Sequence, residues 1–311
     1  MTSKNWLING NSLTLWNLDY DLYFKNLGTL NGHNFFDLIY ADMIYDDLDF
    51  DRWLPRCRDA LKTTGSIFVQ TDQRSVAPLK LYMDELFGAD NFVNWIIWPY
   101  DWGGRPKNAF GRKHDDLLWY AKTGDYKFFA ENVQIPKKTT GIGFNPSGRT
   151  TKTPTDVWMD IGNFHTMSTE RVSGVEWQKP ERLVQRIVEA VTEEGDLVFD
   201  PFAGSGTTIA VCAKLGRNSV GCEINKSIWE RQWKGLMMLC PSCKLHDVGE
   251  SPWEEWERCG NCDMRPLTAI YIGKLKGYIN FLLRREVGTD TYTFPNEDTW
   301  YAKEGSWSGK K

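Results

Sequence analysis

An apolar run from Phe36 to Ala41 ends on Asp42, and Tyr45 follows it inside a cluster of acids. A buried strand that brings one carboxylate and one aromatic ring to its carboxyl tip is a common way to build an active site. Met43 and Ile44, between the two, add no reactive group of their own. A second candidate constellation is "DLVFDPFAGSGTTIAVCAKLGRNSVGCEIN" (196–225). A strand runs into Asp200, a turn follows through Pro201, Phe202, Ala203, Gly204, Ser205 and Gly206, then a helix, then a strand ending on Glu223. Gly204 and Gly206 let the backbone turn sharply and approach a ligand with no Cβ in the way. The helix start offers free N–H groups to an anionic end, and a carboxylate about 20 residues on can take both hydroxyls of a ribose. With one G-x-G step and no third glycine, a dinucleotide fingerprint is not matched. These residues alone reach a nucleotide-like cofactor beside a carboxylate-plus-aromatic loop. A third pattern is C-x2-C-x15-C-x2-C at Cys240, Cys243, Cys259 and Cys262. Two thiolate knuckles at that spacing suit a tetrahedral structural Zn2+ site. Two disulfides are the alternative, which a reducing compartment disfavours.

The elements needed to position these residues are visible as short apolar runs alternating with helical patterns, an α/β signature with a mostly parallel sheet. The expected strands are 37–42, 66–71, 92–98, 116–122, 196–200 and 219–223. In "PERLVQRIVEAV" (180–191), Leu183, Val184, Ile187, Val188 and Val191 share one face, and Pro180 suits the first helical position. A further helix over 207–216 is expected to end at Gly216. Lys137 to Thr155 is rich in Gly, Pro, Thr and Lys and reads as a long loop. Cys57, Cys212 and Cys222 read as core residues.

The chain of 311 residues carries a net charge of −4, which does not by itself suggest a nucleic-acid partner. The distribution is more informative. Residues 98–152 hold ten Lys/Arg against five Asp/Glu, whereas residues 1–60 hold five against nine. A basic segment in an acidic chain fits a footprint for phosphates, or a solvated basic surface. Trp98, Tyr100 and Trp102 precede "GGRPKNAFGRKH", where stacking on bases and packing in the core are both open readings. The amino-terminal residues show no secretory pattern and no apolar run is long enough to span a membrane, so a cytoplasmic protein is expected.

"DPFAGSGTT" resembles the S-adenosylmethionine (SAM) loop of the amino-group DNA methyltransferases, which modify adenine N6 or cytosine N4. "TDVWMDIG" (155–162), "STERVSGVEWQKPERLVQRIVEAV" (168–191) and "KHDDLLWYAKTGDY" (113–126) are similar to further segments of that family, so the likeness covers roughly 30–235. The Asp42 loop precedes the SAM loop, as in the family's β group. The resemblance implies a Rossmann-like, circularly permuted methyltransferase sheet over 1–239, with target recognition within 98–155. A zinc ribbon would follow at 240–262, and an extension at 263–311.

The family's catalytic loop reads Asp-Pro-Pro-Tyr or a close relative, and the matching positions here are Asp42-Met43-Ile44-Tyr45. The resemblance implies that Asp42 and the Met43 carbonyl accept the two N–H bonds of the target amine, while Tyr45 stacks on a base taken out of the duplex. Losing both prolines should loosen the loop by about 1 kcal/mol per residue. The SAM site would comprise residues 200–206, Glu223, Lys179 and Pro180. Arg105, Lys107, Arg112, Lys113, Lys137, Lys138, Arg149 and Lys152 are the candidates for contacts with double-stranded DNA. His114 is a candidate for the base pocket or a surface residue. Asp at the first loop position leans toward adenine N6, with cytosine N4 and RNA as alternatives. The resemblance is compatible with a homodimer and a cognate restriction enzyme. A silent SAM- or DNA-binding partner and a nucleotide-dependent oxidoreductase are the rival readings.

Overall fold

The computed structural model describes residues 36–43, 48–101, 103–137, 148–164, 171 and 177–223, together with the backbone of four outlying strands. In chain order the strands are β1 (Asn5–Asn9), β2 (Phe36–Asp42), β3 (Leu61–Thr71), β4 (Phe92–Pro99), β5 (His114–Ala121), β6 (Ile135–Pro136), β7 (Thr151–Lys152), β8 (Leu197–Asp200), β9 (Asn218–Glu223), β10 (Thr268–Tyr271), β11 (Tyr301–Lys303) and β12 (Ser306–Ser308). The helices of α type are α1 (Leu54–Ala60), α2 (Val76–Phe87), α3 (Glu181–Val191) and α4 (Thr207–Lys214).

Eight strands form one sheet in the order β10-β1-β9-β8-β2-β3-β5-β4. All neighbours from β10 to β3 run parallel; β5 runs antiparallel to both β3 and β4. The sheet is therefore mixed but mostly parallel, as expected. β2 and β8 lie side by side although about 150 residues separate them in sequence. That adjacency puts the Asp42 tip next to the glycine turn.

Both faces of the sheet are covered, which explains why the central strands read as continuous apolar runs. On one face Ile39, Ala41, Val69 and Phe199 pack with Leu54 and Cys57 of α1 and Leu79 and Met83 of α2. On the other, Leu38, Tyr40, Phe68 and Val198 meet Leu183, Val184, Ile187 and Val188 of α3 and Val211 of α4. The expected apolar stripe of α3 is the one that is buried. Phe36 and Phe199 stack across β2 and β8 with ring centroids 4.8 Å apart.

Three details correct the sequence reading. Pro180 does not occupy the first helical position; it caps α3 in an extended conformation, and the helix starts at Glu181. α4 ends at Lys214, with Gly216 just beyond it at φ 73°. An added Cβ at Gly216 would lie 2.9 Å from Glu194, so sterics and dihedral both select glycine there. Within the expected loop at 137–155, Thr151–Lys152 form β7, which pairs antiparallel with β6, Ile135 opposite Lys152. Cys57, Cys212 and Cys222 are buried as expected. Cys240, Cys243, Cys259 and Cys262, the Zn2+ candidates, lie outside the described residues, as do Tyr45, Trp102 and Lys138. Among the described residues no helix is long and apolar enough to cross a membrane.

Phe199 is fully buried in the middle of the sheet. Phe199→Ala is expected to cost about 3–5 kcal/mol, read as a lower urea midpoint with an unchanged slope. A loss under about 1 kcal/mol would mean that the β2–β8 seam is not part of the main core.

Candidate active site

Parallel strands that end together leave their last residues along one edge, and here that edge is acidic. β2 ends on Asp42, β8 on Asp200 and β9 on Glu223. The alignment follows from register: Ile39 faces Phe199, Asp200 faces Gly221, and Asp42 faces Gln70.

The turn after β8 is built as a cradle. Asp200 accepts hydrogen bonds from the Phe202 N–H at 3.0 Å and the Thr208 hydroxyl at 2.5 Å, tying the strand tip to both the turn and α4. Ala203 N–H donates to the Cys222 carbonyl at 2.8 Å, which fixes the turn against β9. Gly204 and Gly206 both take positive φ, 46° and 75°, where a side chain is strained. Gly221 is equally constrained: a Cβ would lie 2.8 Å from Ile209 and 3.0 Å from Ala203, so the turn and α4 sit directly on the strand. The Ser205 and Thr207 hydroxyls are 2.8 Å apart, and Thr207 donates to the Lys179 carbonyl at 3.2 Å. The turn thus locks onto the residues that lead into α3.

Lys179, a candidate for the cofactor site, directs its ammonium to two carboxylates. Its side chain is buried, with Nζ 2.9 Å from Asp42 Oδ2 and 3.5 Å from Asp115 Oδ2. Asp115 also accepts hydrogen bonds from Gln70 Nε2 at 2.8 Å and from the Tyr100 hydroxyl at 3.0 Å. Tyr40 donates to Gln70 Oε1 at 2.7 Å. Asp42 therefore stands at the end of a buried polar network that crosses three strands. Sequence reasoning missed Tyr40, Gln70 and Asp115. Their signals were a glutamine inside the apolar run 66–71 and an acid pair opening the run 116–122.

The loop beyond Asp42 is better anchored at its start than the loss of prolines suggested. Met43 is buried, and its N–H donates to the Gln70 carbonyl at 3.2 Å, one step past the strand end. A proline at this position has no N–H to make that bond.

Crowding of acids shows in their protonation. Burial, reinforced by the nearby Asp42 and Glu223, pushes the Asp200 carboxyl up to about 7, against the opposing pull of its bonds from Thr208 and Phe202. Burial likewise raises the Tyr40 phenol well above its ordinary value, with Asp42, Asp200 and Asp115 adding to it. Asp42, Asp115, Asp200 and Glu223 outnumber the single ammonium of Lys179 at this edge, which suits a ligand with positive charge better than a pyrophosphate.

Of the candidate DNA contacts, Arg105, Lys107, Arg112, Arg149 and Lys152 are exposed and Lys137 is half-buried. Lys113 folds back, donating to the Gly103 carbonyl at 2.8 Å and the Asp101 carbonyl at 3.1 Å. Trp98 is buried and donates to the Ile161 carbonyl, so it belongs to the core. His114 lies 3.8 Å from Asp116 and is partly exposed.

The family model described as DNA methylase, N6_N4_Mtase, matches residues 42–233, and the chain belongs to that family. The Type II methyltransferase M.HpaI of Haemophilus parainfluenzae is 30% identical over 215 residues, which are 63% of this chain and 67% of that enzyme. The DNA adenine methyltransferase YhdJ of Escherichia coli (strain K12) is 32% identical over 219 residues, 66% of this chain and 72% of the relative. Among the more similar curated relatives the matched share of their length ranges from 46% to 73%. The fold is that of the PvuII DNA methyltransferase (cytosine-N4-specific), with a TM-score of 0.56 at 16% identity over 74% of this chain and 86% of that one.

Two outcomes are expected at this edge. Lys179→Met leaves the buried Asp115 and the half-buried Asp42 without their shared cation and should cost about 3 kcal/mol in urea unfolding. Adding Asp115→Asn should recover roughly 1 kcal/mol of that sum; strict additivity would show that the two groups do not interact. The second concerns Asp200, which is protonated up to about pH 7 in the fold but ionises near 3.8 when unfolded. The folded chain then binds more protons across that window, so stability falls as pH rises through it and stays lowered above. Asp200→Asn should therefore gain in Tm over the wild type from pH 5 to pH 8. A constant difference would place the carboxyl at its ordinary value.

Proposed function

We propose that the protein transfers the methyl group of SAM to an exocyclic amino group of a DNA base, with adenine N6 as the target. The observation that carries this reading is the adjacency of Asp42 to the glycine turn, on neighbouring strands, inside a chain of the DNA methylase family. The turn fits the cofactor: three glycines keep it open and close-packed, and Glu223 can take the ribose hydroxyls. The acidic edge also favours a sulfonium- and ammonium-bearing ligand over NAD(P), which argues against an oxidoreductase. When bound, SAM would supply a methyl group activated as a sulfonium, S-adenosylhomocysteine leaving and the methylated nitrogen releasing one proton to solvent.

The remaining work falls to the chain's own residues. An exocyclic amine is a weak nucleophile because its lone pair is delocalised into the ring. Asp42 accepts one of its N–H bonds and the Met43 carbonyl the other, drawing the nitrogen toward tetrahedral geometry and freeing the lone pair. Lys179 and Asp115 hold the Asp42 carboxylate in place, so that positioning supplies much of the rate. Tyr45 stacks on the extruded base, and Arg105, Lys107, Arg112, Arg149 and Lys152 neutralise backbone phosphates within a recognition segment at 98–155. Asp as the first loop residue supports adenine. The relative YhdJ, named an adenine methyltransferase, agrees with that choice. A companion restriction enzyme fits the Type II relatives. The Zn2+ ribbon at 240–262 rests on cysteine spacing alone.

The test is methyl transfer from labelled SAM to unmethylated duplex DNA, followed by nucleoside digestion and mass spectrometry. N6-methyladenine is the expected product, and Asp42→Ala should lower its formation by at least about a thousandfold while leaving SAM binding in place. N4-methylcytosine would keep the mechanism and correct the base. Unchanged product formation by Asp42→Ala would remove Asp42 from the chemistry.

A further inference from the structure

Residues 100–113 leave the sheet at the same edge as Asp42. Asp42 pairs with Gln70, the next residue Thr71 pairs with Asp116, and Pro99 pairs with His114 across β4 and β5. At its root the loop is joined to the site: the Tyr100 hydroxyl donates to Asp115, whose other oxygen faces Lys179. The loop is also closed on itself. Tyr100 N–H donates to the Lys113 carbonyl at 2.9 Å, and the Lys113 ammonium reaches back to Gly103 and Asp101. A Cβ at Gly111 would come within 3.2 Å of the Gly104 carbonyl, so the two arms of the loop nearly touch.

On this braced loop Phe110 is wholly exposed, at 101% of its reference area, while Trp98 at the other end of the stretch is 1% exposed. A phenyl ring held fully in water gains nothing for folding, and what distinguishes Phe110 from other exposed apolar residues such as Leu81 and Met159 is its place on a loop rooted beside Asp115 and the Asp42 edge. The charge around it indicates which kind. Residues 103–113 contain Arg105, Lys107, Arg112 and Lys113 and no Asp or Glu. An exposed apolar ring on a loop that also exposes Arg105, Lys107 and Arg112 matches duplex DNA, whose stacked bases lie between two rows of phosphates.

We propose that Phe110 is the wedge that enters the base stack and holds open the space left when the target base turns toward Asp42, a role that rests on the DNA-methyltransferase reading above. Removing a base from the stack leaves a flat apolar gap. Filling it with a rigid ring offsets part of the lost stacking, while the flanking cations hold the backbone. Phe110 is thus a positioning residue: it acts on the duplex and touches neither cofactor nor the reacting amine.

The experiment compares wild type, Phe110→Ala and Phe110→Leu, after the modified site has been mapped on unmethylated plasmid DNA. Each is assayed on a fully paired duplex and on the same duplex with an abasic site opposite the target base, where extrusion is already cheap. Phe110→Ala should lose at least about tenfold in kcat/KM on the paired duplex and recover most of it on the abasic one. Phe110→Leu should keep most of the activity on both, and SAM binding should be equal in all three. Equal loss on the two substrates, or no loss on either, would overturn the wedge. A wild-type enzyme that labels no DNA at all would instead overturn the functional reading on which it stands.

Discussion

The Lys179 ammonium, shared between Asp42 and Asp115, ties together parts of the chain that are far apart in sequence. Asp42 ends one central strand, Asp115 opens the antiparallel strand near the sheet's far side, and Lys179 leads into α3. Buried charges are tolerated only when each finds a partner, so these three groups must meet if the chain is to fold as described. The same constraint fixes the glycine turn, because Thr207 donates to the Lys179 carbonyl while Lys179's side chain serves Asp42. One residue thereby holds the glycine turn with its backbone and the candidate catalytic carboxylate with its ammonium. Stability and function draw on the same contacts.

Around that centre the sheet separates two kinds of acid. Asp37, at the opposite edge, is buried but paired with Lys62 at 2.7 Å, and it accepts the Leu197 N–H. Asp200, by contrast, is held by the Phe202 N–H and the Thr208 hydroxyl, and its burial keeps the proton on to about pH 7. An edge that concentrates carboxyl groups is costly for an empty protein and well suited to a cationic ligand. Asp37 thus serves the packing of the far edge, while Asp42, Asp200 and Glu223 at the carboxyl edge are the candidate site residues.

The antiparallel strand β5 does more than extend the sheet. Its direction brings the amino end of β5 and the carboxyl end of β4 to the active edge, so the basic loop between them starts beside the site. A parallel strand at that place would have carried the loop to the opposite side. The candidate recognition loop and the candidate catalytic carboxylate are therefore neighbours because of one reversal in strand direction.

Much of this was legible in the sequence. Apolar runs gave β2, β3, β4, β5, β8 and β9 to within a few residues, except that β3 starts five residues earlier than its apolar run. The 3.6-residue stripe of α3 named its buried face, and the glycines of 200–206 marked the turn, because such signals are local: side-chain period and backbone freedom depend on neighbours along the chain. Asp42 could be singled out because it terminates a buried run. What no local signal carries is partnership across strands. That Lys179 serves Asp42, that Gln70 and Asp115 stand behind it, that Trp98 is core while Phe110 is bare, and that Lys113 braces its own loop were all decided by strand order and register. Burial and pairing of polar groups are properties of the folded arrangement, and the sequence determined only which residues were available to meet.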